Sequence, residues 1–364
     1  MKRTAVFFGG TSVEHDVSVI TGVMTVNTLD KTRYEGVPIY IDFDGKWYIG
    51  KDLKDIENFK NLSVKKLERV TIFSGDNVLY KIKGNKHKPL FPIFAAINCL
   101  HGERGEDGSL AGLLKMSKIP LASPPALASS VTMDKAFSKI AMAGIGVKTL
   151  PYVKTQGVTD YEKVKKLGYP LIVKPTTLGS SIGIKKANSP EELPYAISFA
   201  QRYSESAIIE PLLTGFTEIN CAAYRNSKGE IIVSECERPI GQDEVLTFND
   251  KYAGGSREFP ANIDKKISDK IKKTTKRVYE KLNFSGIVRI DYFVYNGEVF
   301  VNEINSVPGS LAYYLFSDTL KGFSEILNDI LTAAERNFVK ENGVKTRYDS
   351  SLLNLTGIKS AKRL

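Results

Sequence analysis

The stretch of the sequence most informative about chemistry is GIVRIDYFVYNGEVFVNEINSVPG, residues 286–309. Two apolar-rich segments flank Asn296 and Gly297, and an Asn-Gly pair in that setting is typical of a tight β-hairpin. Side chains alternate between the two faces of a strand, so the turn length decides which of them share a face. A three-residue turn at 296–298 would gather four polar residues on one face, whereas a two-residue turn would shift the register and separate them.

Those four polar residues are a candidate metal and anion site. With the three-residue turn, Arg289 faces Asn305 and Asp291 faces Glu303. Two carboxylates and an amide oxygen are hard ligands suited to Mg²⁺, and an arginine beside them is a fixed donor for developing negative charge. The alternative is a solvent-facing strand with ordinary charges. Because the four cluster at the far end of the hairpin, while the same face is apolar near the turn, the pattern favours the metal site.

A second pair of candidates would bind phosphate. The apolar segment LIVKP delivers Lys174 to the loop LGSSIG, whose backbone amides could wrap phosphate oxygens, although the loop is not a Walker A sequence. Lys135, in SVTMDKAFSKI, is the second candidate, because phosphate sites use lysine as a point charge. Taken singly, each is equally explained as a strand-end lysine or an exposed helix lysine.

Acidic residues and a histidine at other segment ends complete the candidates. Glu210 ends the apolar run SAIIE and Glu218 lies eight residues further on; adenine and ribose sites often use such carboxylates, but strand-end glutamates are common. His101 opens the loop HGERGEDG and is as readily structural as functional. Glu14, in GGTSVEHD, could accept an ammonium group or simply favour the N-terminus of the next helix.

The elements that must position these residues alternate between strands and helices over the first 120 residues. This alternation predicts an α/β unit with a largely parallel sheet covered on both faces. Ligands of such sheets bind at the carboxyl ends of the strands. The strands TAVFFGG and FPIFAAINCL run directly into GGTSVEHD and HGERGEDG, loops rich in glycine and charge that carry Glu14 and His101, which agrees with ligand binding at the strand ends.

At 364 residues the chain is long for a single core, and we expect three units and a tail. Residues 1–122 form the N-terminal α/β unit, and residues 123–214 form a small mixed unit that begins where Pro124 and Pro125 break the chain. Residues 215–340 carry the hairpin and end in a long amphipathic helix that Asn342 and Gly343 cap. Residues 341–364 are a polar tail. The class is therefore α/β with α+β units.

Composition argues against several classes of function. The formal net charge of +10 could indicate nucleic acid binding, but the lysines concentrate on the solvated side of one predicted helix, residues 264–282, without interleaved aromatic residues. No run of 18 apolar residues could span a membrane, and the apolar stretch after the basic start is short for a signal peptide. Three cysteines without metal-type spacing suit a reducing compartment. We therefore expect a cytoplasmic enzyme that binds neither nucleic acid nor membrane.

In order and spacing, the motifs resemble the D-alanine–D-alanine ligase family of the ATP-grasp fold, over nearly the whole chain to about residue 335. The matching stretches are FFGGTSVEHDVS, HGERGEDGSLAGLL, VTMDK, VKPTTLGSSIG, IIEPLLTG, DKY, VRIDYFV and EINSVPGS. The resemblance implies a three-domain ATP-grasp enzyme that joins two D-alanines through an acyl phosphate for peptidoglycan, using ATP and two Mg²⁺ or Mn²⁺ ions, and that forms a homodimer.

The resemblance also assigns roles to individual residues. The first D-alanine would be held by Glu14, Val17, Ser18 and His101. ATP would be bound by Lys135, Lys174, Ser181, Glu210, Leu213, Glu218 and Lys251. The metal ligands would be Asp291, Glu303 and Asn305. Catalysis would involve Glu14, Ser180, Tyr252 and Arg289 together with the backbone N–H of Gly309. Tyr252 belongs to LTFNDKYAGG, the segment expected to close over the intermediate.

Two departures from the family pattern bear on these roles. The family usually carries a serine that binds the carboxylate of the second amino acid, and Tyr314 stands there, followed by Leu315. One residue is also inserted in IIEPLLTGFTE, which makes Glu218 a less secure ribose contact than Glu210. The alternatives therefore stay open at this point: the same ligase with D-serine, D-lactate or another amino acid as acceptor, or a non-catalytic sensor of nucleotide or D-alanine.

Overall fold

The computed structural model describes residues 1–240, 256–348 and 350. The predictions made for Lys251, Tyr252 and the segment 246–255 lie outside the described residues. Within the described part, three larger sheets and a two-stranded ribbon are surrounded by helices. No described helix is long and apolar enough to cross a membrane.

The first sheet has seven strands in the order β6-β5-β4-β3-β2-β1-β7. The strands are β1 (Lys2–Gly9), β2 (Tyr34–Ile41), β3 (Trp47–Ile49), β4 (Glu68–Ile72), β5 (Val78–Lys83), β6 (Lys86–Pro92) and β7 (Ala95–Asn98). The helices of this part are α1 (His15–Thr28) and α2 (Ser109–Met116). Three short 3₁₀ helices, Lys51–Lys54, Ile56–Asn61 and Val64–Lys66, lie between β3 and β4.

Only part of this sheet is parallel. Strands β2, β1 and β7 pair in parallel, whereas β3 to β6 extend the sheet as an antiparallel meander. The α/β class is confirmed, but a largely parallel sheet was predicted and the structure contains three parallel strands. The difference arises because residues 68–92 form short strands joined by turns, with Gly75 and Gly84 at positive φ, rather than by crossover helices.

The central part carries a four-stranded sheet in the order β10-β9-β11-β8. The elements are α3 (Ala126–Met133), α4 (Lys135–Gly144), β8 (Val153–Thr155), α5 (Tyr161–Lys165), β9 (Leu171–Pro175), β10 (Lys185–Ala187), α6 (Leu193–Ala200) and β11 (Ala207–Pro211). The sheet of this part has its own apolar core, formed by residues of β8, β9 and β11 packed against α6, whereas Ala128 of α3 and Met142 of α4 belong to the core of the third sheet.

The third sheet has the order β13-β12-β16-β17. The elements here are β12 (Thr217–Arg225), β13 (Ile231–Val233), β14 (Arg238–Ile240), β15 (Ser256–Glu258), α7 (Lys265–Lys281), β16 (Ile287–Tyr295), β17 (Glu298–Asn305), a 3₁₀ segment (Gly309–Leu315) and α8 (Leu320–Asn342). The apolar face of α7 packs on β12 and β16, while its lysines face outward. Strands β14 and β15 form the two-stranded ribbon.

The turn of the β16–β17 hairpin has two residues and not the predicted three. Tyr295 pairs with Glu298, which leaves Asn296 and Gly297 as the loop. Both have positive φ, 49° and 74°, as a type I′ turn requires. The Asn-Gly signal was therefore correct, and the turn length inferred from it was wrong.

The predicted facing of the polar residues is nevertheless confirmed, because a β-bulge restores the register. Asp291 pairs with Glu303, but the next residue, Tyr292, pairs with Val301. Asn302 is the extra residue on β17, and it shifts the strand by one position between the turn and the polar end. The bulge thus performs what a third turn residue would have done.

One core connects the two ends of the chain. Phe8 of β1 and Val23 of α1 belong to the same cluster of buried residues as Leu311 in the 3₁₀ segment and Phe323 and Leu331 of α8. These parts are therefore packed together, whereas the central sheet has its own core. The division into units at 122, 214 and 340 stays a prediction.

Candidate active site

Two adjoining cavities form a continuous cleft. The first encloses about 810 Å³ between the central sheet and the β16–β17 hairpin. The second encloses about 510 Å³ between the loops after β1 and β7 and the polar end of the hairpin. Both are lined by Lys135, Leu178, Gly179 and Glu303, so these residues stand at the junction.

A buried charge cluster lies at one wall of the first cavity. Lys174 on β9 and Glu210 on β11 are diagonal neighbours on one face of the central sheet, with the ammonium 2.8 Å from Oε2. Lys139 of α4 approaches the other carboxylate oxygen at 2.6 Å. Burial alone would raise the pKa of Glu210, but the two ammonium groups outweigh it and hold that pKa at about 2. Glu210 is therefore an anion throughout the physiological range.

The remaining wall of the first cavity suits a flat, partly apolar ligand. Leu213 and Glu218, which the resemblance assigns to ATP, line it together with Ile172, Leu150 and Phe293. The structure thus brings the candidates Lys174, Glu210, Leu213 and Glu218 to one cavity. Apolar walls with a few polar groups at defined positions are typical of nucleotide and cofactor pockets.

Lys135 connects the two cavities. It is the first residue of α4, which Asp134 caps by accepting hydrogen bonds from the N–H groups of the next turn. Its backbone N–H donates to the carbonyl of Thr176, and its ammonium donates to the carbonyl of Leu178 at 2.6 Å. The same ammonium lies 3.2 Å from Oε1 of Glu303. Lys135 is therefore placed where a phosphate group could lie against the metal-ligand candidates.

The loop after β9 reaches the second cavity through Ser180. Ser180 and Ser181 both adopt the left-handed conformation, with φ of 54° and 58°. This double turn brings the Ser180 hydroxyl to Glu14, to whose Oε1 it donates a hydrogen bond. Gly179 is also close to Glu14, since an added Cβ there would lie 3.3 Å from the carboxylate. Two of the catalytic candidates, Glu14 and Ser180, are therefore in direct contact.

His101 lies in the second cavity beside Glu14, as expected from the strand ends. Burial lowers the pKa of His101 to about 4, against a hydrogen bond with the backbone of Val307, and the positive charge of Arg289 lowers it further. The ring is therefore neutral at physiological pH. Its Nε2 lies 3.2 Å from the hydroxyl of Thr21, which fixes the ring against α1.

Two of the residues expected to hold the first D-alanine, Val17 and Ser18, lie outside the second cavity. Val17 and Ser18 are buried on α1 but do not line the second cavity. The Ser18 hydroxyl accepts from the N–H of Gly9 at 2.8 Å and donates to the carbonyl of Cys99 at 2.7 Å. It therefore connects the ends of β1 and β7, which is a structural role. These residues were placed by resemblance alone, and spacing could not show that both side chains point into the core.

The polar end of the hairpin forms a compact cluster. Arg289 donates from Nε and Nη2 to the two carboxylate oxygens of Asp291, at 2.7 and 2.9 Å, and Asn305 donates to Asp291 at 2.9 Å. Glu303 stands opposite Asp291 across the hairpin. Arg289 and Gly309 line the second cavity, so a positive group and a backbone amide face the same space.

This cluster fits a divalent cation of the hard class. Asp291, Glu303 and Asn305 provide two carboxylates and an amide oxygen, and oxygen donors are what Mg²⁺ and Mn²⁺ take. Asn305 uses its Nδ2 toward Asp291, which leaves its amide oxygen as the donor atom. Asp291 is buried and already neutralised by Arg289, so the set carries less net charge than its two carboxylates suggest.

Tyr314 lies at the edge of this cluster. Arg289 donates to its phenol oxygen at 3.4 Å, and the guanidinium of Arg257 lies over its ring, 4.9 Å from the centroid. Burial raises the pKa of Tyr314, so its hydroxyl keeps its proton. Leu315, by contrast, points into the core shared with α1 and α8 and lines neither cavity.

Sequence reasoning missed two charged residues that the structure places at the site. Glu106 accepts hydrogen bonds from the N–H groups of Gly102 and Val307, at 3.0 and 2.9 Å, and thereby connects two loops of the second cavity. Lys139 pairs with Glu210 at 2.6 Å. Lys139 lies four residues after Lys135, a spacing that puts both on one helix face, and this was the available signal. Glu106 had none, because Val307, the partner that places it at the site, is distant in sequence.

The first cavity lies between two sheets and has the lining of a nucleotide pocket. It joins a second cavity that contains a carboxylate, Glu14, and a cluster of anion donors. This arrangement is that of an ATP-grasp ligase. Solved structures agree with this class. A D-alanine-D-alanine ligase from Helicobacter pylori is 30% identical, with a TM-score of 0.74, covering 92% of this chain and 98% of its own. A D-Ala:D-Ser ligase from Enterococcus faecalis is 27% identical, with a TM-score of 0.78, covering 92% and 99%.

The sequence itself identifies the family. Residues 3–124 match the family model described as D-ala D-ala ligase N-terminus, and residues 141–331 match D-ala D-ala ligase C-terminus. A D-alanine--D-alanine ligase from Thermosipho melanesiensis is 32% identical over 98% of this chain and 99% of its own length. The chain belongs to the D-alanine–D-alanine ligase family.

Proposed function

We propose that the protein joins two molecules of D-alanine to D-alanyl-D-alanine, with conversion of ATP to ADP and phosphate, for peptidoglycan synthesis. The observation that carries the proposal is the meeting of Glu14, Arg289 and Gly309 in one cavity that opens through Lys135 into a nucleotide-type cavity. An amino acid held there by its ammonium group at Glu14 directs its carboxylate toward the anion donors and the phosphates.

The first step is transfer of the γ-phosphoryl group. An oxygen of the D-alanine carboxylate attacks the γ-phosphorus, the bond to ADP breaks, and an acyl phosphate forms. Lys135 and Lys174 bind the phosphate oxygens as point charges. Glu14, with Ser180 donating to it, fixes the amino acid so that its carboxylate meets the phosphate in line.

The second step is attack by the amine of the other D-alanine on the acyl carbon. Negative charge develops on the carbonyl oxygen, and Arg289 and the N–H of Gly309 stabilise it. Asp291 holds the guanidinium in one orientation through two hydrogen bonds, so little reorganisation is needed as the charge forms. Phosphate then leaves, carrying one oxygen of the original carboxylate.

Divalent cations complete the site. Asp291, Glu303 and Asn305 would hold two Mg²⁺ or Mn²⁺ ions, which supply charge neutralisation for the phosphoryl oxygens. Tyr314 would donate a hydrogen bond to the carboxylate of the second D-alanine, in the place where the family usually has serine. Arg257, stacked on the ring, restricts the orientation of that phenol.

Location and assembly follow from the same proposal. ATP and a reducing environment point to the cytoplasm, and the three cysteines of the chain are buried free thiols, which suits that compartment. The resemblance to the family supports a homodimer, which light scattering of the purified protein would establish.

The direct test is release of phosphate from ATP and Mg²⁺ with D-alanine, compared with L-alanine and with D-alanine paired with D-serine or D-lactate. We expect release that requires D-alanine and the dipeptide as the main product. Glu14→Gln should raise the KM for the donor D-alanine, whereas Glu35→Gln, an exposed control, should not. Release that is equal with L-alanine, or a main product with another acceptor, would contradict the proposal.

A further inference from the structure

Lys139 has an unexpected position for a lysine. Its side chain is 4% exposed, and its ammonium lies 2.6 Å from Oε1 of Glu210. It also donates to the carbonyl of Leu150 at 3.1 Å and lies 5.6 Å from the centroid of the Tyr152 ring. Burial lowers the pKa of Lys139 and the carboxylate of Glu210 opposes that shift. A lysine is buried so completely only where it has a defined partner.

The position of Lys139 excludes direct contact with phosphate. It lies behind Glu210 and does not line the first cavity, whereas Lys135 and Lys174 do. Its ammonium is committed to one carboxylate oxygen and one backbone carbonyl. Whatever Lys139 does for the reaction, it therefore does through Glu210.

Nucleotide binding affects the two lysines at Glu210 differently, because Lys174 lines the first cavity and Lys139 does not. In the proposed function Lys174 binds the phosphate oxygens, and an ammonium that turns toward them from its 2.8 Å contact with Glu210 leaves that carboxylate with one counter-ion fewer. A buried carboxylate without a partner would take up a proton. Lys139, which has no route to the phosphates, stays paired and keeps Glu210 charged.

The charge of Glu210 decides which base it can bind. An ionised carboxylate only accepts hydrogen bonds, whereas a protonated one also donates. Adenine presents an exocyclic amino group as a donor, and hypoxanthine presents a carbonyl oxygen at the same position. An anionic Glu210 at the wall of the cavity therefore favours the amino-substituted base and repels the carbonyl.

We propose that Lys139 is a positioning residue that holds Glu210 as an anion against the base, and that it thereby makes the site select a nucleotide with an exocyclic amino group. This inference rests on the proposed function and on the role that the family resemblance gives Glu210, which lines the first cavity, as a contact of ATP. It adds a residue through which the enzyme discriminates between nucleotides.

The test compares binding of ADP and IDP to the full chain by isothermal titration calorimetry with Mg²⁺. The wild type should bind ADP more tightly than IDP. Lys139→Met removes the charge at similar length and should reduce that preference about tenfold, the fold-change expected from weakening one hydrogen bond to a charged group. The control is Lys148→Met, which removes an exposed lysine paired with Glu298 at 3.0 Å and should leave the preference unchanged.

A second variant, Lys139→Gln, keeps the inference testable if Lys139→Met does not fold. Lys139→Gln keeps a hydrogen-bond donor at the same depth without the charge, and it should also lower the preference for ADP. The inference is overturned if either folded variant keeps the wild-type ratio of ADP to IDP affinity, or if the wild type shows no preference.

The same experiment separates this inference from the proposed function. Loss of D-alanine-dependent phosphate release in the wild type, with the preference for ADP intact and sensitive to Lys139, would refute the function and support the role of Lys139. Normal phosphate release, with a ratio of ADP to IDP affinity that does not change in the Lys139 variants, would support the proposed function and refute the role of Lys139.

Discussion

Glu106 connects the loop after β7 to the loop after β17, in which the N–H of Gly309 is proposed to bind the oxyanion, and its replacement by glutamine should slow the reaction. One carboxylate oxygen accepts from the N–H of Val307 at 2.9 Å and from the hydroxyl of Ser306 at 3.2 Å; the other accepts from the N–H of Gly102 at 3.0 Å. Val307 lies two residues before Gly309, so Glu106 fixes the segment from which the backbone donor projects.

The expected loss of activity in Glu106→Gln follows from the number of hydrogen-bond acceptors that the side chain offers. Glutamine offers one oxygen and one amide group, so the N–H of either Gly102 or Val307 must face another donor. An unsatisfied buried N–H costs about 1–3 kcal/mol. If the loop shifts to relieve it, the same energy is lost from stabilisation of the oxyanion, and kcat should fall about 10- to 100-fold. The KM for ATP should change little, because the nucleotide cavity does not contain Glu106.

The pH dependence of the reaction is a second test of the role of the Glu106 carboxyl. Burial, followed by the nearby charge of Glu14, raises the pKa of Glu106 to about 7, and Glu303 adds to the rise. Below that pH the carboxyl carries a proton and has one acceptor fewer, so kcat/KM should fall as the pH drops through about 7. A bound ammonium group at Glu14 removes part of the repulsion, and the limb in kcat should lie at lower pH.

The effect on stability has the opposite sign. Because the folded pKa is above the unfolded one, protonation of Glu106 stabilises the fold; this contribution is full below about pH 4.5 and lost as the pH rises through about 7. The shift corresponds to at most about 3 kcal/mol, and solvent reaching the half-buried residue reduces it.

The assay measures phosphate release from pH 5.5 to 9 for the wild type, Glu106→Gln and Glu103→Gln, an exposed residue of the same loop. We expect the limb near pH 7 in the wild type and in Glu103→Gln, and its absence, with the lower kcat, in Glu106→Gln. Equal kcat and the same pH profile for all three proteins would refute the reasoning.

Three further predictions test other parts of the structure. Asp291→Asn leaves Arg289 without its carboxylate partner and weakens cation binding, so kcat should fall at least about 100-fold in a titration of phosphate release against Mg²⁺. Tyr314→Phe removes one hydrogen bond to the acceptor and should raise the KM for the second D-alanine about tenfold, with the donor KM unchanged. Gly22→Ala places a Cβ 2.2 Å from the ring of Phe8 and should destabilise the fold by about 1–3 kcal/mol, whereas Gly112→Ala meets nothing within 4 Å and should raise the melting temperature slightly.

The parts of the fold that the sequence predicted well are those set by local pattern. The Asn-Gly pair located the hairpin, and the Gly-rich loops after TAVFFGG and FPIFAAINCL marked the ends of β1 and β7, because turn chemistry and strand periodicity act over a few residues. The bulge at Asn302 carried no such signal. The prediction that the polar residues face one another was correct by chance, because a third turn residue and a bulge shift the register of the hairpin by the same amount.

The parts that could not be predicted depend on contacts between distant segments. Glu106 meets Val307 across about 200 residues of chain, and Lys139 meets Glu210 across about 70. Neither partner is visible in the spacing of one sequence. The same holds for Ser18, whose residue type suits a substrate pocket, but whose hydroxyl the fold uses to join β1 to β7.

The central claim is that the carboxylate of one D-alanine is phosphorylated and then attacked by the amine of another. The most direct measurement uses D-alanine with ¹⁸O in its carboxylate and analyses both products by mass spectrometry. The account predicts D-alanyl-D-alanine together with phosphate that contains one ¹⁸O per molecule. Phosphate without the label, or phosphate released without any dipeptide, would contradict it.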